Sequence, residues 1–343
     1  MKKLASLRFI FAVSLIWAYG ICQAADPLVS NVMLFEDDNG GTTTQTTQMT
    51  PGNEMTLVIE VSYELGFNQI QGVNFYIWGC TTTSENGNDS PFDHATYQWS
   101  NTLGWRLVGP LSSTWTIDEG NCKVILVTAS TGTFKLVFTP GKISRQEEDK
   151  NWQISINVQP LGGPFDTIQG KINVSNAFYS EINIDKNVFF TSNFAGTNDN
   201  PSQLNLNIIA NGTYTLKTRA GDFVGEAGTI SLPGPLSYAL TNTVTSQATI
   251  TTTEQTIGTY SMTSEEGATQ TLYLWLDYPA GLHSGTYNSQ LYLKTSSQGT
   301  TSGIEATATL NGYIKKPILG SLTFTLVPST GIAEADTDRK SVV

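Results

Sequence analysis

The sequence predicts an all-β chain built from two tandem antiparallel β-sandwiches, and three observations carry that prediction. Apolar residues recur with period two in short runs. The runs are bounded by Gly, Pro, Asn and Ser, and long stretches with helical periodicity are absent. Alternation of this kind arises when one face of a strand meets a core and the other meets water.

The expected strands follow in order. Met55–Val61 places Met55, Leu57, Ile59 and Val61 on one face, and Val73–Trp78 does the same with Val73, Phe75 and Ile77. Thr133–Phe138 and Trp152–Val158 complete the first half. Leu204–Ile208, Tyr214–Lys217, Leu272–Leu276 and Gln290–Lys294 make the second. Between the halves, Pro160-Leu161-Gly162-Gly163-Pro164 cannot continue a central strand, because proline lacks the ladder donor and glycine adds backbone freedom. The expected division is residues 25–160 for the first sandwich, 165–329 for the second and 330–343 for a polar tail. Glu147-Glu148-Asp149-Lys150 reads as a charged loop tip.

Residues 1–24 have the layout of a cleaved export signal. Lys2, Lys3 and Arg8 precede an apolar run from Phe9 to Ile16, and small residues close the segment at Ala24-Ala25. A lipoprotein reading, with Cys22 acylated, meets a poor fit in Tyr19-Gly20-Ile21. Removing the segment shifts the formal charge from −11 to −14, since Lys2, Lys3 and Arg8 leave and no acidic residue does. An acidic chain without a basic cluster argues against nucleic acid and anionic membranes as partners. No apolar tail follows Thr330 to act as a transmembrane anchor. The expected location is extracellular or at the cell surface. There Cys80 and Cys122 are expected to pair, which in a chain-entropy account stabilises by about 3–4 kcal/mol; two buried free thiols are the other reading.

Two stretches carry a resemblance. Met49-Thr50-Pro51-Gly52-Asn53-Glu54-Met55-Thr56-Leu57, followed by Ile70–Trp78, resembles the start of immunoglobulin-like modules in bacterial and archaeal surface proteins. Pro279-Ala280-Gly281 with Gly285-Thr286-Tyr287 resembles the turn of a closing hairpin in Ig-like or pilin-like sandwiches. The resemblance implies two Ig-like domains. Its motifs are turn chemistry and alternation, which identify a fold far better than a function.

Candidate chemistry is sparse. His94 and His283 fall in different halves, in apparent surface loops, and no His/Cys set has the spacing of a zinc site. No G-x-S-x-G elbow occurs. Glu36-Asp37-Asp38, Asp118-Glu119 and Glu265-Glu266 are the densest carboxylates, but glycosidase acids usually come from different strands, so adjacent ones read as solvated turns. Glu36, Asp37 and Asp38, closed by Asn39-Gly40-Gly41, also form an oxygen-rich turn of the kind calcium takes, without EF-hand spacing. Trp78, Trp99, Trp105, Trp115, Trp152 and Trp275 offer either sugar-stacking faces or core, and core is the expectation for Trp152 and Trp275. Sequons occur at Asn88, Asn173 and Asn211. Near the C-terminus Leu322, Phe324 and Leu326 alternate in a strand that either completes its own sandwich or inserts into a neighbour.

The expected function is a non-enzymatic structural or adhesive protein, a filament or matrix subunit assembling by β-strand addition, with itself or other surface proteins as partner. A carbohydrate-binding accessory protein using exposed tryptophans is the second reading, and a secreted glycoside hydrolase the third.

Overall fold

The computed structural model describes residues 26–316 apart from 80–90, 112, 164–167, 185–186, 192–193, 195, 197–199, 227 and 301–302. The chain is nearly all β. Among the described residues its helical structure is three short 3-10 turns, Asp38–Gly40, Phe67–Gln69 and Val244–Ser246. No helix among these residues is long and apolar enough to cross a membrane. All eight alternating segments lie within observed strands, and Leu28–Phe35 is a strand as well.

The first sandwich stacks two sheets, antiparallel except where Gln48–Met49 runs parallel to Gly170–Asn176. In one, Met55–Ser62 lies between Leu28–Phe35 and Thr131–Thr139, and Leu57 sits opposite both Leu34 and Leu136. In the other, Ile70–Gly79 lies between Glu147–Pro160 and His94–Ser100, with Gly104–Gly109 at the edge. Phe75 there faces Ile156 on one side and Tyr97 on the other. The inward rows meet in an aromatic core, where Phe134 packs against Trp99 at 5.0 Å and Phe67 at 5.3 Å.

The second sandwich has an aliphatic core. Leu204, Leu206, Leu272 and Leu274 come from one sheet and Leu291, Leu293 and Leu310 from the other, all buried. Its long hairpin pairs Gly285–Ser297 with Gly303–Ile314.

Three expectations change. The Pro160–Pro164 cluster does not divide the cores: Gly170–Asn176 returns antiparallel to Glu147–Pro160 in the same sheet, so the chain crosses at Ala177–Tyr179. Proline ended the strand, but the partner strand followed. Glu147 is not a loop tip either; it begins that strand, opposite Asn176. The Pro279–Gly281 turn makes no hairpin, because Ala268–Leu276 and Gly285–Ser297 belong to different sheets.

Candidate functional site

The junction between the sandwiches is the densest polar construction in the described chain. Its centre is Asn211, fully buried in the turn after Ser202–Ala210. Its amide donates to the Ser144 and Ala177 carbonyls, both at 2.8 Å, and its Oδ1 accepts the Tyr179 N–H at 2.8 Å. Asn176, also buried, donates to the Ser144 carbonyl at 2.8 Å and the Arg145 carbonyl at 2.9 Å. Asn211 of the second sandwich thus reaches backbone groups of the first, and Asn176 braces Ser144 and Arg145 from within the first; an unpaired buried carbonyl is costly.

Around this centre lie charged and hydroxyl contacts. Lys142 Nζ reaches Glu181 at 2.6 Å, and the Tyr179 hydroxyl donates to the same carboxylate. Burial acts to raise the Glu181 carboxyl, yet the Lys142 and Tyr179 hydrogen bonds prevail and hold it below the ordinary glutamate range. Burial and the neighbouring carboxylate push the Tyr179 hydroxyl well up. Glu265 accepts from the Thr114 N–H at 2.7 Å and its hydroxyl at 2.8 Å, strapping the second sandwich to the first. Gly52, at φ +79°, passes so close to the Tyr179 ring that a Cβ would sit 3.0 Å from it. A groove of about 500 Å³ opens beside the junction, lined in part by Gln48, Gln146, Phe178, Ser297 and Ile304.

The residues singled out in the sequence do not gather there. Asp37 is consumed within its own loop, its carboxylate accepting the Thr43 and Thr44 amides and the Thr43 hydroxyl, each at 2.7 Å. The Thr44 and Thr43 bonds hold its carboxyl below the ordinary aspartate range. Lys135 takes the Gly40 carbonyl at 2.8 Å, and Glu54 takes the Asn39 amide, so loop oxygens near Glu36 and Asp38 already have protein donors. Among the described residues no three His, Cys, Asp or Glu side chains are grouped to hold a metal ion. Asp118 closes its own turn through the Gly120 and Asn121 amides.

His283 is exposed, but His94 is buried as the first residue of the strand His94–Ser100 and stacked on Tyr76. Trp115 and Trp152 are core, and Trp99 and Trp105 pack against it. Trp78 is half-buried and donates to Ser155 Oγ at 3.3 Å. Trp275 is buried, but on the opposite face from Leu274 and Leu276 and so outside the core expected for it. Cys122 is a free, buried thiol, and Cys80, its expected partner, lies outside the described residues; the Cys122 Sγ accepts the Val137 amide, and burial pushes the thiol up to about 11. Cys80, Asn88, residues 1–24 and Leu322, Phe324 and Leu326 lie outside the described residues. Asn173 is exposed, whereas Asn211 has every polar atom engaged in the junction and cannot carry a glycan in this fold. The sequence signal for the junction was present in Asn211-Gly212, a turn dipeptide, but reads equally as a sequon.

No family model matches the chain, and no curated protein does. Solved structures with some likeness include a family 123 glycoside hydrolase from Clostridium perfringens, with 8% identity over 40% of this chain and 28% of that one, at a TM-score of 0.26. The Yersinia pseudotuberculosis adhesin InvE shares 10% identity over 77% of this chain and 56% of that one, at 0.26. The CupB6 tip adhesin from Pseudomonas aeruginosa shares 9% over 84% of this chain and 100% of that one, at 0.28. This chain therefore spans well under two thirds of the first two, and likenesses of this strength carry no functional inference.

Proposed function

We propose that this is an exported structural or adhesive protein of the cell surface, a stiff two-sandwich rod that self-associates or holds partners rather than converting a substrate. The observation that carries the reading is the junction: buried Asn211 of the second sandwich bonds to Ser144, Ala177 and Tyr179 and accepts the Gln146 amide, while Asn176 holds Ser144 and Arg145 from within the first sandwich. Interfaces between domains that move are weakly held, and this one is cross-linked by buried hydrogen bonds. The charged segment ahead of the apolar run Phe9–Ile16 supports export.

Assembly by strand addition fits the ends of the chain. Among the described residues, the outer edge of Leu28–Phe35 pairs only at Leu34 and Phe35, so the backbone groups of Leu28–Met33 lack a strand partner on that side. An alternating segment such as Leu322–Val327 has the pattern to add there. Negative-stain microscopy of residues 25–343 is expected to show linear polymers, lost when Leu322, Phe324 and Leu326 are each changed to Asp. A protein that stays monomeric at high concentration overturns the self-associating form of this reading.

A further inference from the structure

The second sandwich turns two unlike faces to water. On the sheet that holds Tyr214–Ala220 and Gly285–Ser297, register sets Lys217 beside Lys294 and Arg219 beside Tyr292. Their charges are paired on the spot, Arg219 with Glu305 at 3.1 Å and Lys294 with Glu254 at 3.0 Å. On the other sheet Ser180–Ile184, Ser202–Ala210, Ala268–Leu276 and Leu236–Ala239 lie side by side. Its leucines point into the core, and the alternate positions form rows of neutral polar side chains. Asn183, Asn207 and Thr269 make one row across three strands, Asn205 and Thr271 the next, and Gln203 and Tyr273 the one after. None of these is charged, in a chain with 29 acidic residues. The charges nearest to them lie at the margins: Glu181 is held by Lys142, and Glu266 is exposed in the turn before Ala268. Asp185 and Lys186, opposite in sign, lie outside the described residues.

The first two rows border a depression of about 610 Å³, walled by Asn183, Asn205, Asn207 and Thr269. That size falls within the roughly 300–1,000 Å³ of small-ligand sites. Asn183 and Thr269 are exposed there. Asn205 Oδ1 takes the Thr271 hydroxyl at 3.0 Å, which turns the oxygen to its own strand pair and leaves the amide NH₂ for another acceptor. Asn207 donates to the Glu266 carbonyl at 2.9 Å, and its Oδ1 has no donor among the described residues. One row further on, the half-buried Tyr273 ring is backed by buried Trp275, with ring centres 6.5 Å apart.

From this arrangement we infer that the Asn183–Tyr273 face binds an uncharged glycan. A side-chain amide presents a donor and an acceptor side by side in one plane, which matches two neighbouring hydroxyls of a sugar ring. Tyr273 adds a flat apolar ring with a polar tip, fixed in place from behind. An ionic ligand would meet no opposite charge in these rows, and an apolar partner would meet almost no apolar side chain. The opposite sheet of the same sandwich shows that neutrality is not general to this surface. The inference rests on the partner-holding form of the reading above. It uses neither the strand edge at Leu28–Met33 nor an exposed tryptophan.

Affinity electrophoresis of residues 25–343 through gels carrying mannan, xylan or dextran tests it, with polygalacturonate as the acidic control. Retardation by at least one neutral polysaccharide, and none by polygalacturonate, is expected. Asn183→Asp with Thr269→Glu places two carboxylates at exposed positions, so melting should match the unsubstituted protein while binding weakens about tenfold or more. Tyr273→Ala should weaken binding by a similar factor, and Tyr273→Phe, which keeps the ring, should retain most of it. Retardation by none of the three, or equally by polygalacturonate, overturns the inference, as does binding that the double variant and Tyr273→Ala both keep. A double variant that changes sedimentation but not retardation assigns the face to contacts between copies and also overturns it. Linear polymers with no retardation leave the self-associating reading standing and remove the glycan site. Retardation of a protein that stays monomeric does the reverse.

Discussion

The junction and the far pole of the first sandwich are both places where a sandwich ends, and they end in opposite ways. At the junction Asn211 of the second sandwich donates to the Ser144 carbonyl of the first, and Thr114 of the first donates to Glu265 of the second. At the pole Leu28, Leu65, Leu103, Leu126, Val127 and Leu161 are each 60% or more exposed. The physical difference is where the neighbours lie. The junction's polar groups find partners across the two sandwiches and are buried, where a missing partner is costly. The pole's aliphatic side chains stay in water and so contribute little to the fold.

The largest test of that contrast is Trp152→Ala. Its ring packs on Trp115 at 6.1 Å and its Nε1 donates to the Arg145 carbonyl at 2.9 Å, so it joins the first core to the junction. The expected loss is about 3–5 kcal/mol in urea unfolding. A loss near zero would mean that the junction does not lean on that core. Next is Asn211→Ala, which strands the Ala177 carbonyl and the Tyr179 amide and leaves the Ser144 carbonyl to Asn176 alone. It should cost about 2–3 kcal/mol and split one unfolding transition into two; a single unshifted transition breaks the locked-junction account.

Lys142→Met is expected to cost about 1 kcal/mol or less, since both partners are about a third exposed. Its pH dependence gives the sign. Glu181 has its folded value depressed, so the pair's contribution is present above the unfolded value of about 4.3 and is lost as pH falls through the folded value. The stability gap between the two proteins should therefore close on acidification, as followed by denaturation from neutral pH down to pH 3; a gap that widens refutes the pairing. The smallest effect belongs to the pole. Leu65→Ser should change stability by no more than about 0.5 kcal/mol, because the side chain is already in water. A large loss would show that the leucine is structural.

Strand content was legible because burial on one face forces alternation, and every expected run, from Met55–Val61 to Gln290–Lys294, sits in a strand. His94 was misplaced because a short polar residue at a strand start carries no periodic signal. Asn211 was misread for a related reason: Asn-Gly-Thr is chemically a sequon and a turn at once, and only neighbours distant in sequence, Ser144 and Tyr179, decide between them. The leucines of the pole were invisible as a group, since each occurs singly in its own loop.

By itself, the sequence determined the all-β class, the acidic balance and the paucity of catalytic groups, all properties of local pattern and composition. Tertiary structure alone decided where the first sandwich ends. Whether the chain after Pro160–Gly163 returns to its own sheet depends on a partner strand and on burial, neither of which a proline can signal. It also decided that Cys122 sits as a buried thiol against Val137 and that six scattered aliphatic residues share one pole. Contacts between residues far apart in the chain set all three.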